Sequence, residues 1–164
     1  MIHIEVDDHE VMDALNQLIS QLDDLTPAMK DVSGELEKIA TTAFEEQASP
    51  AGIPWPDLSD VTKEQRAESG HWPGDILKVT GDLASSIQSD YGPDFAVAST
   101  NAPHAATHQF GAKQGQFGRG TFKTREGSVP IPWGDIPPRP FLGLSDEGKE
   151  EILNIFTQFL DGAF

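Results

Sequence analysis

Cysteine is absent from the chain, which excludes disulfide scaffolds, thiol catalysis, iron–sulfur clusters and thiolate zinc sites together. Long apolar runs are missing too, and none approaches the ~20 residues that span a bilayer. The opening residues MIHIEVDDHE contain neither the basic stretch nor the apolar run of a secretory signal, so none is expected there. Basic residues are scarce: 11 Lys and Arg stand against 27 Asp and Glu, a formal charge of −16. Phosphate backbones and anionic lipid repel a body of that sign, which disfavours general nucleic-acid binding and a membrane partner. Apolar residues make up 37% of the chain, while 15 glycines and 12 prolines form about a sixth of it. The composition is that of a soluble acidic protein whose 164 residues suffice for one ordinary core, and a single domain over 1–164 is expected.

The pattern begins with Ile2, Ile4 and Val6 at period two, which predicts a strand. Val11, Met12, Leu15, Leu18, Ile19 and Leu22 then follow helical spacing, and Thr26-Pro27 opens a second amphipathic helix running to about Gln47. From Ser49 the chain turns extended, with Trp55 bracketed by Pro54 and Pro56. A short polar helix is predicted over 61–68, another around 81–87, a hairpin of strands 86–91 and 94–99, and a short helix over 102–109 stopped by Gly111. A brief strand is predicted at 129–131, and Ser145 caps a terminal helix with an apolar stripe. These elements imply an α+β fold: a small, mainly antiparallel sheet packed by the two N-terminal helices and the C-terminal helix, with long Pro/Gly-rich loops.

Charge is unevenly placed. Residues 1–50 hold twelve acids and two lysines, whereas 111–127, GAKQGQFGRGTFKTREG, hold Lys113, Arg119, Lys123 and Arg125 against Glu126 alone. One reading makes this glycine-rich segment a solvated loop. The other makes it an arm that meets an acidic surface, such as a second copy of the chain. With five glycines and little to bury, the segment is expected to be mobile in an isolated monomer.

No catalytic constellation stands out. His104 and His108 lie at i and i+4, which is metal-ligand spacing, yet Ala105 occupies the place of the catalytic glutamate in the zinc-protease motif and no third ligand is evident. A metal-dependent hydrolase using the pair is one alternative, and packed structural histidines are the other. A third is an acidic module that recruits a basic protein. No G-x-S-x-G elbow occurs, the glycines of 111–127 do not match a phosphate loop, and no cofactor is implied. Adjacent carboxylates such as Asp23-Asp24 and Glu45-Glu46 are expected by chance in so acidic a chain.

Four short motifs are more distinctive: Trp55-x-x-Leu58, Leu77-x-x-Thr80-Gly81-x-Leu83, His108-Gln109-Phe110-Gly111 and Ile136-Pro137-x-Arg139-Pro140-Phe141-Leu142-Gly143. In this order and at these gaps the chain resembles the phage virion morphogenesis family, the small tail-completion proteins of Mu-like phages, over about residues 40–160. It departs at His104, where the family commonly has tyrosine. The resemblance implies a non-enzymatic structural role at the tail end or head–tail junction of a virion, assembled in the host cytoplasm. It also implies a subunit of a homo-oligomeric ring, in contact with its own copies and with other tail or neck proteins. In such a subunit Lys113, Arg119, Lys123 and Arg125 reach a neighbour's acidic surface, or DNA nearby. Arg139, stiffened by Pro138 and Pro140, is placed to orient a carboxylate. Trp55 and Phe141 offer anchors for a partner's pocket, the alternative for both being packing onto their own core.

Overall fold

The computed structural model describes residues 9–116, 121–124, 127–130 and 134–162. The strand expected at 1–6 lies outside them. Two helices come first, α1 at His9–Leu22 and α2 at Thr26–Glu46, followed by α3 at Asp60–Glu68 and the one-turn α4 at Asp82–Ser85. Strands β1 (Ile87–Tyr91) and β2 (Ala96–Thr100) lead to α5 (Ala105–Phe110), β3 (Thr121–Thr124), β4 (Gly127–Pro130) and α6 (Asp146–Asp161). The class is the small α+β fold that the pattern implied. Within it the strands form two separate antiparallel ribbons, β1–β2 in register Ile87↔Thr100 to Tyr91↔Ala96, and β3–β4 in register Thr121↔Pro130 to Thr124↔Gly127.

Helix α2 organises the core. Ala28, Val32, Ala40, Ala43 and Phe44 recur at helical spacing and are buried, so one side of the helix receives β1 and β2 and another receives α6. Thr26-Pro27 opens it as expected, with the cap one residue earlier than a threonine N-cap would place it. Leu25 is the cap, and the Asp24 carboxylate accepts the Thr26 N–H at 3.0 Å instead of a Thr26 hydroxyl capping the helix. That bond holds the Asp24 carboxyl below the usual carboxylate range. Pro27 fits the first turn because its missing N–H would have had no partner there. On the ribbon side, the Ser89 hydroxyl donates to the Glu37 carboxylate, tying β1 to α2.

The terminal helix α6 is capped as expected, with Ser145 Oγ accepting the Gly148 N–H at 3.0 Å, and Asp146 and Glu147 occupy the positive end of its dipole. It packs on α2 rather than on a sheet. A Cβ at Gly148 would stand 2.8 Å from Ile39 Cδ1, so the missing side chain permits this close approach. Helix α1 has the expected amphipathic pattern, yet Met12, Leu15, Ile19 and Leu22 are all about half exposed. It makes no extensive contact with another described element. The cause is geometric: a periodic stripe states which face is apolar and not what lies opposite.

Candidate functional site

The four motifs, dispersed over nearly a hundred residues, converge on one junction beneath a cleft. Trp55 is buried and its indole Nε1–H donates to Pro140 O at 2.8 Å. Phe44 meets Trp55 edge-on at 5.6 Å between ring centroids and Phe141 at 5.1 Å. Phe141 is 0% exposed, the most enclosed large side chain among the described residues. Such a trio supplies aromatic burial with quadrupole-favoured geometry.

Gln109 completes the clasp. Its Oε1 accepts the N–H groups of Phe141 and Leu142, both at 3.0 Å, and its Nε2 donates to Leu142 O at 2.7 Å. A half-buried amide that satisfies three main-chain groups of an extended segment replaces the neighbouring strand that segment lacks. Arg139 works the same way. Its N–H donates to His108 O, while Nε donates to Pro56 O at 2.7 Å and Nη2 to Asp57 O at 2.8 Å. Arg139 is 4% exposed, and burial together with nearby Arg66 lowers the guanidinium's affinity for its proton.

Of the two destinations open to Trp55 and Phe141, both take the chain's own core, and Arg139, expected to orient a carboxylate, is buried beside them. The physical reason is shared. Pro54-Trp55-Pro56 and Pro138-Arg139-Pro140 are extended segments whose carbonyls have no regular ladder, so side chains satisfy them and are drawn inward. The carboxylate partner envisaged for Arg139 is replaced by two backbone oxygens.

Gly111 shows why the His-Gln-Phe-Gly motif ends in glycine. Its φ is +74° with ψ 175°, a region closed to other residues, and a Cβ would lie 2.8 Å from Ile136 O. The approach allows the paired bonds Ala112 N–H to Ile136 O and Ile136 N–H to Ala112 O. A second clasp lies on the opposite wall of the cleft. Gln47, at φ 51°, accepts the Ile76 N–H through Oε1, and Arg66 donates to Asp75 O and Ile76 O. Gln47, Arg66 and Gln109 were not singled out as functional residues from the sequence. For Gln109 the signal was available, since it sits inside one of the four motifs.

Between these walls opens a cleft of about 580 Å³, lined by Leu58, Ile76, Leu77 and Ile136 with His104 and His108. The two imidazoles meet edge-on at 5.6 Å between centroids. His108 Nδ1 is buried without a hydrogen-bond partner. Burial first, then the positive field of His104, Arg139 and Arg66, lowers its pKa to about 4, so the ring is neutral near pH 7. Among the described residues no group of three His, Asp or Glu side chains is arranged to hold a metal ion.

The cations expected on the arm are placed as follows. Lys113 is exposed and paired with Asp135 at 2.7 Å, which raises the lysine pKa and lowers the carboxyl's. Arg119 and Arg125 lie outside the described residues, and Lys123 belongs to β3 with only its backbone described. The mobility expected of 111–127 falls in part on 117–120 and 125–126, which also lie outside the described residues. The brief strand expected at 129–131 corresponds to β4, with residue 131 outside them.

The model of the phage virion morphogenesis family matches residues 6–161. The chain belongs to that family. It is similar to the putative capsid assembly protein G of Escherichia phage Mu, with 36% identity over 122 residues, 74% of this chain and 70% of the relative. It is also similar to two proteins of Haemophilus influenzae. Mu-like prophage FluMu G protein 1 is 31% identical over 87% of this chain and 84% of its own length, and G protein 2 is 32% identical over 93% and 91%. No solved structure matches. The chain is thus a phage assembly protein, and its four motifs are the parts that close the fold around Phe141. Among the described residues, no helix is long and apolar enough to cross a membrane.

Proposed function

We propose that the chain is a non-enzymatic structural subunit that acts in tail completion or head–tail joining, working as a ring of its own copies at the tail or neck of the virion. The observation that carries this reading is the family match over residues 6–161. The geometry is in keeping with it. The residues most distinctive of the family are engaged in main-chain hydrogen bonds and core packing, and the histidine pair has no third ligand beside it among the described residues. A clasp of this kind is what a subunit needs when its work is to hold a shape against neighbours.

A phage lacking this protein is expected to yield filled heads and complete tails that fail to join, seen by electron microscopy of the lysate. The name of the phage Mu relative supports a second reading, a role in building the capsid. On that reading the same lysate contains no filled heads. Normal infectious particles would overturn both.

A further inference from the structure

Among the described elements that make no extensive contact outside themselves, two are opposite in chemistry. The first is α1, whose Met12, Leu15, Ile19 and Leu22 form a stripe that is 47–58% exposed. The helix carries Glu10 and Asp13, no Lys or Arg, and runs into Asp23-Asp24. The second is the β3–β4 ribbon, whose strands pack extensively only on each other among the described elements. A lone two-stranded ribbon is marginal in water and gains by lying on a surface. The segment containing it, 111–127, is basic and includes two aromatics, Phe117 and Phe122, between its cations.

We propose that the α1 stripe is the docking surface for the basic 111–127 segment of a second copy of this chain. Apolar burial and charge agree on that occupant. The aromatics of the arm cover the stripe, and Arg119, Lys123 and Arg125 reach the acids flanking it along a helix only about 10–12 Å wide. Lys113 is already neutralised by Asp135 and marks the base of the arm. Pairing of α1 with another α1 is the rival arrangement and fits less well. The 14-residue helix offers two heptads at most, short of the three or four that sustain a coiled coil. Its charged residues, Glu10 and Asp13, are all acidic and have no complement in a copy of themselves. Arm onto α1 is moreover a heterologous contact, with each copy contributing both halves, and contacts of that kind close rings.

This inference rests on the subunit reading, and the experiment separates the two. The full chain is prepared with benzoylphenylalanine in place of Ile19, mixed with isotopically labelled chain and irradiated. Cross-links are expected from position 19 to peptides within 111–130 of the other copy. Cross-links to another α1, to the same chain, or none in a protein that still self-assembles would overturn the docking site and leave the subunit reading standing. A protein monomeric at every concentration would overturn both. In parallel, Arg119→Glu, Lys123→Glu and Arg125→Glu together are expected to weaken self-association at least about tenfold. Glu10→Lys with Asp13→Lys in the partner copy is expected to restore it. Failure of that restoration, with both variants unfolding at the wild-type midpoint, would contradict the charge pairing.

Discussion

His108 is the residue whose surroundings most alter its chemistry. Its ring is withdrawn from solvent beside His104, Arg139 and Arg66, and its pKa falls to about 4 from an ordinary 6.5. The unfolded chain therefore takes up a proton at a pH where the folded chain does not, and stability falls as pH drops. The contribution is fully present above about pH 6.5, is lost progressively down to about pH 4, and changes little further below that. His108→Gln removes the titration, so its urea midpoint is expected to decline less than the wild type's between pH 6.5 and pH 4. Equal slopes would show that the ring is solvated in the folded protein. Arg139 illustrates what a sequence withholds at this scale. Its charge and its stiff proline bracket are legible, but Pro56 O and Asp57 O lie more than eighty positions away and carry no side-chain signature. Trp55 and Phe141 were legible as large aromatics with two destinations, and burial in the chain's own core was one of them.

At the level of elements, helical periodicity located α1, α2 and α6 within a residue or two, because one apolar stripe and one cap suffice to draw a helix. It did not reveal that α6 lies on α2, or that the α1 stripe stays about half exposed, since a stripe is silent about its partner. The predicted helix around 81–87 shrinks to Asp82–Ser85 because β1 begins at Ile87 and pairs with Thr100. Tertiary pairing takes those residues from the local preference. Gly111 joins α5 to the basic arm, and its conformation is a condition of the Ala112–Ile136 bridge. Gly111→Ala is expected to cost about 2 kcal/mol, from a backbone region closed to alanine and a carbonyl in contact with the new methyl. Urea unfolding measures the loss, and faster amide exchange at Ala112 and Ile136 places it at this junction. An unchanged midpoint would mean that the arm's base has no fixed geometry.

For the molecule as a whole, the formal charge of −16 sets the terms of assembly. Copies so acidic repel one another unless a local contact of opposite sign intervenes, and the arm is the one strongly basic stretch in the sequence. Composition alone excluded thiol chemistry, and the ordered motifs led to the family. What neither conveyed is that the motifs form one clasp around Phe141, because their meeting depends on folding distant segments together. Family membership is established by the match over 6–161, while the joining role is the central proposal. Its most direct test is complementation in vitro. Heads and tails from a phage lacking the protein are mixed, the purified full chain is added, and infectious titre is counted. Restored titre, with joined particles under the microscope, is the expected result. A titre that stays at background, although the added protein is folded and self-associated, would contradict the account.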